Sequence, residues 1–452
     1  MDFFRLTSTL LLALFFTSCN DICCKNDDHG VKSERIFGDV QPPEVCSDFT
    51  KKKFVYDLLH DSYLWANETP FIDFADESAY PDEYRVLEKL KYPKDRFSFI
   101  IPKKEYENFF VASKSVGFGF SFVWRGAQDF VESLQIILVY PGSFADKAGL
   151  KRSDIIVAID GYKIDDIYKN DELLDRYFGF GDELNATFTI KMPDEKTKDI
   201  VITKGEFDLK SVIKSEVFEV NGKKTGYLLF QSFTGGSKSQ LQEAFLEFEK
   251  ADIKELVLDL RYNGGGYVYV ANLLSSMIAG KKVFGKIFLK EVFNDKYSIY
   301  NKSNYFLKSS SSISLPRIFI LTTKESCSAS ELVINSLRSS VSGVKVVQIG
   351  DRTCGKPYGM IGGGYCDRYI LPVQMKNLNA DDEGEYIDGL EPDCVAEDDL
   401  WHDFADTNET LFKSALFYIS NDRCPDIVKS KREVKTFPSV KEESFKRRFN
   451  VF

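Results

Sequence analysis

The stretch Thr323-Lys324-Glu325-Ser326-Cys327-Ser328-Ala329-Ser330-Glu331 decides how the second half of the chain folds. An apolar strand over Pro316 to Thr322 precedes it, and helical periodicity follows it as far as Leu337. The small residues predict a tight turn, and Ser328-x-x-Glu331 has the spacing of a capping box. A hydroxyl at a helix N-terminus lies near free N–H groups and the positive end of the helix dipole, which stabilise an oxyanion. The stretch therefore predicts either a plain helix start or the position of a nucleophile.

Strands and helices alternate on both sides of this turn. The predicted strands and helices are Thr225 to Phe233, Ser237 to Lys250, Glu255 to Leu260, Val268 to Ile278 and Val344 to Ile349. Such alternation favours parallel strands joined by helical crossovers. We therefore predict an α/β core over 206–404, with a C-terminal helix and tail over 405–452.

Lys356 is a candidate base in this core. It follows the Val344 to Ile349 strand in the turn Thr353-Cys354-Gly355-Lys356. Burial can lower the pKa of a lysine towards neutrality, which allows the amine to accept a proton. The alternative is an ordinary solvated lysine, because most lysines are exposed.

Gly264-Gly265-Gly266 follows another predicted strand and is a candidate oxyanion site. Glycine lets backbone N–H groups approach a developing oxyanion closely, although the same residues also suit a flexible turn. A Ser-His-Asp triad is disfavoured, because the chain has three histidines, His29, His60 and His402, and none follows a predicted core strand.

The N-terminal residues predict export. Residues 1–18 carry Arg5 and a short apolar run, as a signal peptide does. Thr17-Ser18-Cys19 resembles a bacterial lipobox in which Cys19 carries the lipid, and the alternative is an ordinary signal peptide. Residues 19–47 are polar and predict a tether. We expect a protein of the bacterial cell envelope, held at the membrane through Cys19 on the periplasmic side or the outer surface.

Composition narrows the choice of partners. The chain has 452 residues and a net charge of −10, which predicts several domains and disfavours nucleic acid as a partner. No C-x-x-C pair or histidine cluster with zinc-site spacing occurs, and we expect no metal and no cofactor.

The chain has nine cysteines, and disulfides are common in exported proteins. Cys23, Cys24 and Cys46 fall in the predicted tether. Cys354 and Cys366 flank a glycine-rich segment and are a candidate pair, although spacing does not determine connectivity.

The residues between the tether and the α/β core predict two smaller domains. Helical periodicity predicts a helical domain over 48–112, and strand periodicity predicts a β-rich domain over 113–205. The run Gly117-Phe118-Gly119-Phe120, followed by Ala148-Gly149-Leu150 and Asp154 to Gly161, resembles a PDZ domain of the protease-associated kind. The resemblance implies a β-sandwich-like fold in which the N–H groups of Phe118, Gly119 and Phe120 bind a C-terminal carboxylate.

Several motifs together resemble the S41 family of serine peptidases, the C-terminal processing or tail-specific proteases. The motifs occur in the family's order over about Asp48 to Asp398: Thr225 to Leu228, Asp259-Leu260-Arg261 with Gly265-Gly266, Ser326 to Glu331, and Gly355-Lys356. The resemblance implies a multidomain α/β protein with a ClpP/crotonase-like core. The family pattern S-A-S-A-S-E implies Ser328 as nucleophile, with Cys327 in place of an alanine, and Lys356 as base. It also implies an oxyanion hole from the N–H groups of Ala329 and of Gly265 or its neighbour Gly266.

One departure from the family concerns the base. Many members have a glutamine four residues after the lysine to orient it, and Met360 stands there. Gln348, Tyr358 and Glu331 are candidate substitutes.

The leading hypothesis is a Ser-Lys endopeptidase whose polypeptide substrate is recognised by its C-terminus. The alternative is a weakly active or inactive peptide-binding scaffold. A further hypothesis is redox control through Cys327, Cys354 and Cys366.

Overall fold

The computed structural model describes residues 37–127, 130–179, 183–192 and 194–426. The predicted signal peptide, Cys19 and the tail beyond 426 lie outside these ranges, as does most of the predicted tether. Within the described ranges, no helix combines the length and the apolar character that crossing a bilayer needs.

The N-terminal block packs on the core rather than folding apart from it. Its elements are α1 (Asp48–Asp61), α2 (Glu83–Leu90), β1 (Phe99–Pro102) and α3 (Lys103–Tyr106), followed by a π-helical turn, Glu107–Val111. Ser47 and Asp82 cap α1 and α2. Leu58 and Val86 share one apolar cluster with Ile370, and β1 pairs antiparallel with the later strand Arg368–Leu371.

A β-rich unit follows the N-terminal block. Its elements are β2 (Lys114–Gly117), β3 (Phe120–Ala127), β4 (Phe130–Val139), α4 (Phe144–Lys147), β5 (Ile155–Ile159), β6 (Tyr162–Lys163), α5 (Ile164–Lys169), α6 (Asp171–Phe178), β7 (Leu184–Lys191) and β8 (Thr197–Asp208). The strand order is β2-β8-β7-β5-β4-β3, with β6 beside β5. Strand β3 therefore lies at an edge of this sheet, where an added strand can pair.

The remaining elements form the α/β core. They are β9 (Val212–Val220), β10 (Lys223–Phe230), α7 (Ser237–Ala251), β11 (Glu255–Asp259), α8 (Val268–Ala279), β12 (Ile287–Phe293), β13 (Lys302–Tyr305), β14 (Arg317–Thr322), α9 (Ala329–Arg338), β15 (Lys345–Gly350), β16 (Tyr358–Met360), β17 (Gly363–Tyr365), β18 (Arg368–Leu371), β19 (Val373–Leu378), β20 (Cys394–Val395) and α10 (Thr410–Asn421). The main sheet has the order β20-β15-β14-β11-β10-β9. Its strands are parallel except β9, so the predicted parallel α/β core is confirmed.

The main sheet is covered on both faces, as parallel sheets usually are. Helices α7, α8 and α9 pack on one face, around buried residues such as Phe245, Leu274 and Leu332. Helix α10 packs on the other face, where Ile137 and Leu138 of β4 join the same apolar cluster. The smaller sheets β13-β12-β19-β16 and β1-β18-β17 complete the core.

The carboxyl ends of β11, β14 and β15 meet at one edge of the sheet. The register pairs Asp259 with Leu321 and Thr322 with Gly350. The glycine loop (residues 264–266) follows β11, the serine turn (residues 323–328) follows β14, and the lysine turn (residues 353–356) follows β15. Ligands of parallel sheets bind at this edge, so the fold brings the three predicted segments together.

A buried ion cluster fixes the first of these loops. Arg261 is fully buried and donates to Asp259, Asp398 and Glu409. Arg152 of the β-rich unit also reaches Asp398, at 3.3 Å. The cluster therefore ties the β-rich unit to the strand exit that carries the glycine loop.

The disulfides correct two expectations from the sequence. The structure pairs Cys46 with Cys366, Cys327 with Cys354, and Cys394 with Cys424. The candidate pairing of Cys354 with Cys366 is therefore wrong, because each of the two is bonded to another cysteine. The tether expectation also fails for residues 37–47, because Cys46 is bonded to the core and Phe37 packs on Phe293 with ring centroids 4.9 Å apart.

Candidate active site

Ser328 lies in a strained backbone conformation directly before α9. Its φ is 54° and its ψ is −110°, values that cost a non-glycine residue about 1–3 kcal/mol. A Cβ placed on Gly265 would lie 2.8 Å from the Ser328 Cβ and 3.0 Å from the Ala329 N. The glycine loop is therefore in direct contact with the serine turn, and a side chain at Gly265 would push the two apart.

The buried Glu331 carboxylate connects the serine turn to the lysine turn. Its Oε2 accepts the Ser328 N–H at 2.9 Å and the Lys356 N–H at 2.8 Å. Its Oε1 accepts the Gly355 N–H at 2.7 Å and the Thr353 hydroxyl at 2.5 Å. Burial raises the pKa of Glu331, while these four donors oppose that rise. Glu331 therefore positions the backbone on both sides of the site.

The lysine turn has further attachments. The Cys354 N–H donates to the Ser326 carbonyl at 3.1 Å, and Cys354 is bonded to Cys327. Arg96, from the N-terminal block, donates to the Cys354 carbonyl at 2.6 Å. Arg96 is distant in sequence and belongs to no motif, so sequence reasoning missed it.

The Lys356 side chain lies in an apolar environment. Its Nζ donates to Met360 Sδ at 3.4 Å and lies 5.6 Å from the centroid of the Phe97 ring. Desolvation by burial lowers the pKa of Lys356 to about 8, against the opposing charges of Asp95 and Glu331. At this pKa a large fraction of the amine is neutral in mildly alkaline solution, as a base requires.

Lys356 and Ser328 line the same cavity but are not hydrogen-bonded to each other. Among the described residues, the hydrogen bond of Lys356 Nζ goes to Met360, and no bond joins it to Ser328 Oγ. Of the candidates to orient the lysine, Gln348 donates instead to Thr322 and Leu390. Glu331 binds the Lys356 backbone rather than its amine.

The glycine loop presents N–H groups beside Ser328. The Gly265 N–H donates to Asn263 Oδ1 at 2.9 Å, so this group already has an acceptor. The Asn263 carbonyl also accepts the Cys327 N–H at 3.0 Å, which holds the loop against the serine turn. Within the part of the chain that the structure describes, the N–H groups of Gly266 and Ala329 have no such acceptor. Asn263 was not singled out in the sequence, because an asparagine before glycines is typical of any turn.

The predicted carboxylate loop opens into the same cavity. The cavity, of about 290 Å³, is lined by Phe118, Gly119, Phe120, Ser328 and Lys356 together with Gly264 to Gly266. Gly119 has a φ of 92°, and a Cβ there would lie 2.2 Å from the Cβ of Ser143. The structure therefore brings the predicted site residues to one cavity, apart from Ala329, which is buried beside it, and Cys19, which lies outside the described ranges.

Two sulfurs and a carboxylate lie together next to this cavity. The ligand atoms of Cys327, Glu331 and Cys354 lie within 4.8 Å of one another. The sulfurs are bonded to each other, and the carboxylate is occupied by four donors. This set is therefore not suited to bind a metal ion in the oxidised protein.

Comparison with known proteins finds matches to the α/β core and to the N-terminal block. Residues 224–396 match the sequence model described as Peptidase family S41, and residues 51–99 match Peptidase S41 N-terminal domain. A probable CtpA-like serine protease of Staphylococcus aureus strain COL is 27% identical over 354 residues, which cover 77% of this chain and 65% of that protein. The carboxy-terminal processing protease CtpB of Bacillus subtilis strain 168 is 29% identical over 224 residues, or 49% of this chain and 44% of that protein. The chain thus spans less than two thirds of the length of these curated relatives.

A solved structure is similar over most of the chain. The crystal structure of a candidate S41 protease from Bacteroides fragilis NCTC 9343 superposes with a TM-score of 0.65 at 25% sequence identity. The alignment covers 84% of this chain and 99% of that one. The mixed α/β fold is therefore that of an S41 protease structure.

Proposed function

Because this chain belongs to peptidase family S41, we propose that it is a serine endopeptidase with Ser328 as nucleophile and Lys356 as general base. The observation that carries the proposal is the shared Glu331 oxygen, which binds the N–H groups of both residues. Positioning a nucleophile and a base on one rigid group supplies much of the rate enhancement of a covalent mechanism.

In the proposed reaction, neutral Lys356 accepts the proton of the Ser328 hydroxyl as Ser328 Oγ attacks the carbonyl carbon. Lys356 Nζ must first bring its lone pair to Ser328 Oγ, which its flexible side chain permits, while an N–H of the amine still donates to Met360 Sδ. The N–H groups of Ala329 and Gly266 stabilise the oxyanion, with Gly265 holding the loop close. Protonated Lys356 then gives its proton to the leaving amine, and water hydrolyses the acyl-enzyme by the same steps.

The substrate is proposed to be a polypeptide bound through its C-terminus. The N–H groups of Phe118, Gly119 and Phe120 would take the carboxylate, and the chain would pair with the edge of β3. The support is that this loop and Ser328 line one cavity. We also propose that the protein acts in the bacterial cell envelope, anchored through lipid on Cys19.

A non-catalytic scaffold is the second candidate function. It is favoured by one observation, the contact of Lys356 Nζ with Met360 rather than with Ser328. Such a protein would bind C-termini without cleaving them.

Cleavage of an unfolded, cysteine-free polypeptide distinguishes the two functions. The wild-type protein is expected to cleave it, and the Ser328→Ala and Lys356→Ala variants are expected to be inactive. If the wild-type protein cleaves no faster than Ser328→Ala, the peptidase function is excluded and the non-catalytic scaffold is the remaining candidate. A substrate amidated at its C-terminus tests the recognition step, and its KM is expected to rise about 10-fold or more because a charged hydrogen-bonded group is lost.

A further inference from the structure

The Cys327–Cys354 disulfide lies between the two residues proposed to react. Cys327 directly precedes Ser328, and Cys354 lies two residues before Lys356. We propose that this disulfide is a positioning element for the Ser328–Lys356 pair, and that its reduction by a dithiol lowers the turnover of the enzyme. The inference rests on the proposed peptidase function.

The disulfide joins the serine turn, which follows β14, to the lysine turn, which follows β15. Hydrogen bonds also connect these two turns. Next to the disulfide, the Cys354 N–H donates to the Ser326 carbonyl, and Glu331 accepts N–H groups from both turns. Each of these bonds requires the turns to stay close. A covalent link at the same point keeps the separation of the two turns nearly constant, because a disulfide restricts the distance between its Cα atoms. The Cα atoms of Cys327 and Cys354 are 5.2 Å apart, and those of the other two disulfides in the described chain are 5.8 Å apart or less.

The side chain of Lys356 has little else to orient it. Its hydrogen-bond partner is the thioether of Met360, and sulfur is a weak acceptor. Catalysis depends on orientation to within a fraction of an ångström. A covalent tie on the lysine turn therefore supplies positioning that the side chain's own contacts do not.

We expect a soluble reductant to reach this bond. Cys327 and Cys354 are both partly exposed. A dithiol attacks one sulfur to form a mixed disulfide, and its second thiol then releases the protein as two thiols. The dithiol loses two electrons and two protons and becomes a cyclic disulfide, so the S–S bond of the protein is replaced by two S–H bonds.

Reduction should also change the proton affinity of the base. Burial keeps the pKa of Lys356 at about 8, while the charges of Asp95 and Glu331 face it and oppose that shift. Arg96 contacts the turn through the Cys354 carbonyl. If the turn loosens, water reaches the amine, and its pKa rises towards that of free lysine. The pH profile of kcat should therefore move to higher pH in the reduced protein.

The test compares oxidised and dithiol-reduced full-length protein on a cysteine-free unfolded polypeptide. Reduction of the wild type is expected to lower kcat about 10-fold, less than the roughly 100-fold loss expected for a 1 Å displacement. The variant with Cys327→Ala and Cys354→Ala is expected to show the reduced activity under both conditions. Two control variants, one with Cys46→Ala and Cys366→Ala and one with Cys394→Ala and Cys424→Ala, are expected to keep the full response to the dithiol.

A second readout does not need turnover. Hydrogen exchange at the Gly355 and Lys356 amides is expected to accelerate when the wild type is reduced. Both amides donate to Glu331, and these hydrogen bonds connect the lysine turn to α9 next to the disulfide. Unchanged exchange and kcat on reduction would overturn the inference, as would a response that persists without Cys327 and Cys354. A mass map showing these two as free thiols in the purified protein would do the same. If the oxidised wild type cleaves no faster than Ser328→Ala, the peptidase proposal fails, and exchange alone decides whether the disulfide holds the turn.

Discussion

The backbone N–H of Lys356 donates to Oε2 of Glu331 at 2.8 Å. The same oxygen accepts the Ser328 N–H, so one buried carboxylate connects the backbones of the proposed base and nucleophile. In the proposed mechanism, Glu331 therefore acts through the backbone of both turns, as a positioning residue.

Glu331→Gln is expected to lower kcat/KM about 100-fold, on the scale of a 1 Å misplacement of the reacting groups. The amide has one acceptor oxygen, and its NH2 group would face N–H donors that need an acceptor. The assay is peptide cleavage together with a denaturant titration to confirm folding. Glu247→Gln, on the exposed face of α7, is the control and should leave kcat/KM unchanged. Normal activity in folded Glu331→Gln would argue against the positioning role.

The rate of peptide cleavage should depend on the protonation of Lys356. The amine acts as a base when it is neutral, so kcat/KM is expected to rise with pH and level off above the lysine pKa of about 8. A pH profile of cleavage measures the midpoint. Lys356→Arg is expected to be inactive, because a guanidinium stays protonated. A profile that is flat around pH 8 in the wild type would contradict the assignment.

Met360 is the natural place to improve the orientation of the lysine. Met360→Gln is expected to raise kcat about 3-fold or more, since an amide oxygen accepts a hydrogen bond more strongly than a thioether. Met360→Leu keeps the volume but removes the sulfur, and it should lower kcat. Single-turnover kinetics separates these effects from product release. Equal rates in all three proteins would show that the Met360 contact does not orient the base.

The buried ion cluster should be essential for stability. Arg261→Met leaves Asp259 and Glu409 buried without their cation, which is expected to lower the free energy of unfolding by about 3–5 kcal/mol. Lys250→Met, which breaks the exposed and solvent-screened pair with Glu247, should leave the free energy of unfolding unchanged. Urea unfolding of the two variants provides the comparison. Similar losses in both would mean that the cluster adds little.

Local patterns were enough to predict the parallel core and the order of its site segments. Strand and helix periodicity located β11, β14 and α9, and the carboxyl ends of parallel strands necessarily share an edge. The capping-box spacing also indicated that Glu331 would bind the Ser328 N–H, as it does.

Long-range contacts were not predictable in this way. The disulfide of Cys46 with Cys366 joins residues 320 positions apart, and the Arg96 bond to Cys354 spans 258 positions. Neither leaves a periodic signal. The positive φ of Ser328 was also hidden, because serine rarely adopts it and the surrounding packing imposes it. The sequence identified Met360 as a departure from the glutamine that many family members have at this position. The hydrogen bond between Lys356 and Met360 could be seen only in the structure.

The most direct test of the account is covalent labelling with a fluorophosphonate, which reacts with activated serines. We predict an adduct on Ser328 by peptide mass spectrometry, formed faster as the pH rises through about 8 and absent in Lys356→Ala. An adduct on another residue, or equal labelling of Ser328 in wild type and Lys356→Ala, would contradict the proposed Ser-Lys pair.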